Sequence, residues 1–396
     1  MSPVVNASAP RVLILSASYG SGHNAAAWAL KTALRRAGAH TRVVDHFYEL
    51  VHPTFDRGSR LLYDFLLYRV PWLWELAYWI GDRLPTSSGL LFGMSALGTA
   101  RLRALLDSFQ PDVVVSTHPT PAGAMSDLRR RGLTRVPHAL VYTDFAVHSQ
   151  WLHPVVDLYC VPAEGIRDLL IARGVEPERV LTTGLPVRPE FEEPADPAVA
   201  RQALGLDLDR PVVLAMAGAL GWTGQLPAAV RVLRDLPLQA VIVAGRAERL
   251  GEHLKELARD ARGGMRVIGY TPAIRQLMAA ADLLVTKAGG VSLAEAIACE
   301  LPVICFGSLA GPERRNERFV VEAGAALRAR STLELTSVVS HALAAPGALK
   351  ALSQRMGEIR RPAAAHAVAN ALLERLVGTQ TTAFSRSDTE RAARDG

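Results

Sequence analysis

Short apolar runs recur along the chain, and stretches with helical spacing separate them. Residues 12–16 read as a first strand, 23–37 as a helix and 42–45 as a second strand. Further apolar strands follow at 112–116, 138–143 and 157–161, with helical stretches such as 95–109 and 122–131 between them. Strands alternating with helices predict a parallel, doubly wound sheet. Residues 191–210 break the pattern with Glu192-Glu193-Pro194-Ala195-Asp196-Pro197, which reads as an interdomain linker. Alternation restarts at 212–217 and continues at 240–244, 265–268, 283–286 and 303–306. Helices from about 333 to 377 close the chain. The expected architecture is two Rossmann-like α/β domains, 1–188 and 189–378, the second including the closing helices. Residues 379–396 are polar without apolar periodicity and predict a disordered tail.

One segment departs from the alternation. Eleven of the 24 aromatic side chains fall within residues 47–92, interspersed with Arg57, Arg60, Arg69 and Arg83. Such a mixture matches an amphipathic segment lying in a bilayer interface. An insertion packed over the sheet and a dimer face are the alternatives. Trp72, Trp74 and Trp79 are the candidate membrane or acceptor contacts. No apolar run approaches the ~20 residues that span a bilayer, and residues 1–10 lack the features of a signal peptide. The expectation is a protein peripheral to the cytoplasmic face of a membrane. Nothing in the pattern specifies an oligomeric state.

Composition narrows the partners. Hydrophobic residues make up 49% of the 396 and charged residues 21%, ample for two globular cores. The net charge of +6 favours acidic partners such as anionic headgroups or nucleotide phosphates. Basic residues are scattered apart from Arg129-Arg130-Arg131, and no basic stripe carries base-reading motifs, so nucleic acid is not expected as a partner. The three cysteines, Cys160, Cys299 and Cys305, lack metal-ligand spacing, so free thiols and no metal site are expected.

The chemistry concentrates at two strand–glycine–helix junctions. Lys287-Ala288-Gly289-Gly290-Val291-Ser292-Leu293-Ala294-Glu295-Ala296 follows one apolar strand and opens an Ala-rich helix. The glycine pair lets a ligand approach the backbone, and the helix N-terminus offers N–H groups to an anion. Glu295, one turn on, can hold sugar hydroxyls. Ser292 and Glu295 also have capping-box spacing, so Glu295 can alternatively close its own helix end. Gly20-Ser21-Gly22-His23 follows the first strand. Neither cluster is a full G-x-G-x-x-G, and a Walker A pattern is absent.

Several further motifs, in order along residues 11–326, make the chain similar to the family of monogalactosyldiacylglycerol synthases and processive diacylglycerol glucosyltransferases, MurG-like enzymes of the GT-B fold. Gly20-Ser21-Gly22-His23-Asn24-Ala25-Ala26 resembles the family's first-strand loop. Pro111-Asp112-Val113-Val114-Val115-Ser116-Thr117-His118-Pro119 resembles its next strand. Tyr142-Thr143-Asp144-Phe145, with His148, Trp151 and Asp157, is similar to its Thr-Asp-Phe region. Thr183-Gly184-Leu185-Pro186-Val187 looks like its Thr-Gly-Ile-Pro turn, and 287–295 matches its donor-site motif.

The resemblance implies a GT-B fold with two doubly wound domains facing a central cleft. It implies inverting, metal-independent transfer of a hexose from a UDP-sugar donor to a lipid acceptor, with the UDP-sugar as substrate and no cofactor. In that reading Glu295 binds the ribose and the amides near Gly289 and Gly290 face the diphosphate. Gly22, Lys287 and Ser292 share the donor site, as does the 218–224 loop with Gly218 and Gly221. His23 is the candidate base, or else only a neighbour of the helix N-cap. Asp144 assists it, or is a turn residue. The chain departs from the family's Pro-Gly-Gln-Glu at Gly311-Pro312-Glu313. Pro312 removes an amide expected to hold sugar hydroxyls, leaving Glu313 and Asn316. Alternatives are a transferase for another acceptor, such as a polyprenyl-linked one, a UDP-sugar epimerase and a non-catalytic GT-B binding protein.

Overall fold

The computed structural model describes residues 9–83, 97–216, 218 and 225–378. Phe92, Gly221 and the tail expected to be disordered lie outside them. Two six-stranded parallel sheets form the frame. The first has the order β2-β1-β3-β4-β5-β6, from β1 (Arg11–Ser16), β2 (His40–Asp45), β3 (Val113–Ser116), β4 (His138–Val141), β5 (Leu158–Val161) and β6 (Val180–Thr182). The second has the order β12-β11-β10-β7-β8-β9, from β7 (Val212–Met216), β8 (Gln239–Val243), β9 (Met265–Ile268), β10 (Leu283–Thr286), β11 (Val303–Phe306) and β12 (Ala326–Ala329).

Helices cover both faces of each sheet, so the central strands are apolar throughout. Val12, Leu13, Ile14 and Leu15 are fully buried, and Ile14 pairs with Val43 on one side and Val115 on the other. Strand order reverses between β1 and β3 and again between β7 and β10. In open α/β sheets, ligands bind beyond the carboxyl ends of strands at such points. Phe145, Leu185 and Val187 from the first half enter the hydrophobic core of the second, packing with Phe191, Leu214, Leu284 and Val291.

Three features differ from the expectation. Strands β6 and β12 were not anticipated. Both are short edge strands with partly exposed positions, so they lack the continuous apolar run that marks the central ones. Residues 47–83 contain a pair of helices, Pro53–Arg69 and Pro71–Arg83, each opened by a proline at its start, where no N–H is needed. Finally, the Ala364–Ala371 helix does not stay with the second half. Ala365, Val368, Ala369 and Leu372 pack with Val12, Ile14, Ala27, Leu30 and Ala33 in the core of the first sheet. Small side chains on both helices permit this close return. Among the described residues, no helix is long and apolar enough to cross a membrane, and the three cysteines are free thiols.

Candidate active site

His23 is the second residue of the Gly22–Arg36 helix, which starts beyond the carboxyl end of β1. Its Nδ1 lies 2.9 Å from the Thr117 carbonyl oxygen and 2.8 Å from Thr143 Oγ1. A carbonyl oxygen only accepts, so Nδ1 carries the proton and Nε2 keeps its lone pair. The edge of the ring meets His118, with centroids 4.6 Å apart. Burial pushes the His23 pKa below its ordinary value, while Asp144 and the Thr117 carbonyl pull it back. The imidazole is therefore neutral near pH 7 and able to accept a proton.

Thr117, His118 and Thr143 were not singled out from the sequence, yet they orient this base. The signal was present: Thr117-His118-Pro119 and Tyr142-Thr143-Asp144 sit beyond the carboxyl ends of β3 and β4. Proline at the first position of the Pro119–Arg130 helix makes His118 its N-cap, and His118 accepts a bond from Thr120 N at 3.1 Å. His118 thus carries its proton on Nε2 when neutral. Burial, then the neighbouring His23 and His46, hold its pKa well down.

Asp144 makes no hydrogen bond to His23 and acts on it through its field. Burial raises the Asp144 pKa, and His23 and an Asn316 hydrogen bond oppose the rise. Asn316 is held by the protein itself. It is fully buried, its Oδ1 accepts from Phe145 N at 2.7 Å, and its Nδ2 donates to Asp144 Oδ1 at 2.8 Å and Ala288 O at 3.1 Å. Both amide hydrogens and one lone pair of Oδ1 are thus engaged within the protein. Glu313 is also engaged: it forms an ion pair with Lys287 and accepts from Leu309 N at 2.9 Å.

On the donor side, Gly289 is the N-cap of the Gly290–Ala298 helix and supplies no side-chain cap. Ser292 is the third helical residue, so it is not at the N-cap and the capping-box alternative for Glu295 falls. Glu295 is half-buried, with no hydrogen bond or ion pair to its carboxylate among the described residues. Burial pushes its pKa up to about 7, with Arg188 opposing and Glu190 adding to the rise. Gly218 adopts φ +76°, and a Cβ there would meet Lys287 Cε at 3.3 Å. A Cβ on Gly22 would touch Val291 Cγ2 at 3.4 Å, so the two glycine junctions face each other directly.

Gly290 shows how tightly they meet. A Cβ there would overlap the Thr143 carbonyl oxygen and come within 2.9 Å of Asp144 Oδ1. Gly290→Ala is expected to force the halves apart and lower kcat/KM about tenfold, the equivalent of ~1.4 kcal/mol. Steady-state kinetics check this; wild-type kinetics in the variant would mean that the contact is not part of the working state.

From His23 and Asp144 a cavity of about 380 Å³ opens beneath the helical pair, walled by Tyr63, Trp74, Tyr78 and Trp151 and bordered by Pro312. The three tryptophans of the segment separate here. Trp72 and Trp79 are 65% and 49% exposed. Trp74 is half-buried, meets Tyr63 edge-on at 5.0 Å, and lies close to Gly311 of the second half. Arg60, expected at the surface with Arg57, Arg69 and Arg83, is paired with the buried carboxylate of Asp56. Among the described residues, no group of three or more His, Cys, Asp or Glu side chains is placed to hold a metal ion.

Residues 23–187 match the family profile of monogalactosyldiacylglycerol (MGDG) synthase, and residues 214–341 that of glycosyl transferases group 1. Over 365 residues the chain is 30% identical to a processive diacylglycerol beta-glucosyltransferase of Bacillus mycoides, covering 92% of this chain and 93% of the relative. The chain belongs to that family. A processive diacylglycerol beta-glucosyltransferase of Bacillus subtilis is likewise 30% identical over 352 residues, or 88% of this chain and 91% of the relative. The fold is GT-B. Acinetobacter baumannii MurG superposes with a TM-score of 0.61 at 15% identity, covering 92% of this chain and 99% of that one. S. aureus MnaA, solved with UDP, superposes with the same TM-score of 0.61 at 13% identity, covering 93% and 97%. The MGDG synthase match begins at His23 and takes in Thr117, His118, Thr143 and Asp144, while the group 1 match takes in Lys287 to Asn316. The protein is thus a glycosyltransferase whose two halves each match a glycosyltransferase profile.

Proposed function

We propose that the protein moves a hexose from a UDP-sugar to the free hydroxyl of diacylglycerol at the cytoplasmic face of a membrane, inverting the anomeric carbon. One observation carries this reading. The unpaired Nε2 of His23 belongs to a residue that lines the aromatic cavity, next to a helix N-terminus that no side chain caps. The acceptor hydroxyl gives its proton to Nε2 as its oxygen bonds to the anomeric carbon. The bond from that carbon to the β-phosphate oxygen breaks, and its electron pair leaves on UDP. Attack opposite the leaving group inverts the centre.

Asp144 stabilises the imidazolium that forms. The first-turn N–H groups of Gly290–Ala298, with Lys287, meet the charge that develops on the diphosphate. Glu295 accepts from the ribose hydroxyls, and Gly218 leaves room for the donor close to the backbone. The UDP-sugar is a substrate, and no cofactor or metal enters these steps.

A panel of UDP-sugars with liposomes containing or lacking diacylglycerol tests the reading. The expected result is UDP release that requires the lipid and yields a glycosylated diacylglycerol. Equal release without the lipid, or recovery of an epimerised donor sugar, overturns it.

The helical pair supplies the membrane contact. Leu61, Phe65, Trp72 and Trp79 are all exposed on it, and Arg83 stacks 3.6 Å from the Trp79 ring centroid. A lipid tail drawn fully into water costs ~0.8 kcal/mol per CH₂, so the enzyme goes to the lipid. Replacing Trp72 and Trp79 together by Ala is expected to weaken sedimentation with anionic liposomes about tenfold, or ~1.4 kcal/mol, with UDP affinity unchanged. Salt should weaken binding of the wild type, because attraction is screened beyond ~10 Å at 0.1 M. Undiminished binding by the double variant would assign these rings to another partner.

A further inference from the structure

The first turn of the Pro312–Glu322 helix joins the two halves. Pro312 borders the acceptor cavity. Arg315, although it belongs to the second half, pairs with Asp82 of the Pro71–Arg83 helix at 3.0 Å and donates to Val147 O at 2.9 Å. Between these outer contacts, Asn316 reaches inward to the loop after β4. Its Nδ2 bridges Asp144 Oδ1 and Ala288 O, the latter in the donor loop, and its Oδ1 holds Phe145 N. A single buried amide thus ties the Asp144 carboxylate to the donor loop.

We infer that Asn316 is a positioning residue for the reaction: it holds Asp144 ionised and in place beside His23 once the two halves have met. The inference rests on the reading above, in which Asp144 supports the base. The amide suits the task because it is neutral and two-sided. It donates to a carboxylate and a carbonyl while accepting from an amide N–H. Leucine or alanine would strand three buried partners, and a carboxylate would face Asp144 with like charge. Other charged or titratable groups also act on Asp144: His23 from the first helix, Lys287 and Glu313 from the donor half, and Tyr63 and Tyr78 from the helical pair. Asn316 is the neutral donor among them, so its removal alters the carboxylate's hydrogen bonding without altering net charge.

Two variants test this. Asn316→Ala removes the donor. Asn316→Asp keeps the shape and the acceptor for Phe145 N but replaces the donor by a second carboxylate, which serves if the alanine variant fails to fold. Each should lower kcat at least tenfold with donor KM changed less than threefold. The Asp144 carboxyl should titrate higher than in the wild type, because it has lost a bond that favoured its ionised form. Carbon-13 titration of the Asp144 carboxyl should show the same upward movement in the free protein, whether or not sugar is transferred. That readout separates failure of this inference from failure of the proposed activity. A lowered melting temperature with an unmoved Asp144 titration would overturn the positioning role. A rise in donor KM with kcat unchanged would overturn it too, and would return Asn316 to the sugar.

Discussion

His23→Ala is expected to lower turnover by ~10²–10⁴-fold, the usual contribution of a positioned general base, while UDP affinity stays near that of the wild type. The geometry makes the prediction specific. Thr117 O and Thr143 Oγ1 hold Nδ1, so proton transfer falls to Nε2 alone. Thr143→Val should therefore reduce turnover too, by about tenfold, because it removes one of the two groups that orient the ring; this estimate assumes a lost hydrogen bond of ~1–1.5 kcal/mol. Activity of wild type should fall on the acid side as the imidazole takes up a proton. Burial lowers the His23 pKa, so that limb should lie below the ordinary histidine value near 6.5. Kinetics from pH 5 to pH 9 on the three proteins decide the matter. Turnover in His23→Ala within a few-fold of wild type would move the base elsewhere, with Asp144 the next group to test.

How far these sites were legible in the sequence depended on whether a signal was local. His23, Gly290 and Glu295 lie just past apolar strands in glycine-marked junctions, where strand, turn and helix leave their mark within about ten residues of one another. The alternation of strands and helices likewise gave both sheets their central strands. Edge strands β6 and β12 left only three- and four-residue traces with exposed positions. The return of Ala364–Ala371 to the first sheet had no local sign, since an Ala-rich helix packs equally well on any close neighbour. Asn316 shows the same limit at the site. Its position in the motif was visible, but its partners Asp144 and Phe145 lie more than 170 residues away in the chain. Whether a polar side chain faces substrate or protein is decided by that long-range packing, not by the residues beside it.

Glu295→Gln is expected to weaken UDP binding by ~2–3 kcal/mol, the worth of hydrogen bonds to a charged partner, or about 30–150-fold. At pH 8 it should also raise the melting temperature. The two effects have one cause. Burial raises the carboxyl from its ordinary 4.5 to about 7 in the folded protein, with Arg188 opposing. The folded state therefore holds a proton that the unfolded chain releases above about 4.5. This contribution to stability is fully present below that value and is lost as pH rises through 7. Above 7 the protein carries a half-buried carboxylate without a partner, and the neutral amide relieves that cost. Near pH 5 the substitution should leave the melting temperature almost unchanged. Ribose hydroxyls favour the ionised form, so UDP binding to wild type should release a proton near pH 7 and weaken as pH falls below it. Calorimetry at pH 6, 7 and 8 in buffers of different ionisation enthalpy measures both affinity and proton release. Unchanged UDP affinity in the variant, together with a lower melting temperature at pH 8, would remove Glu295 from the donor site and make it a structural carboxylate.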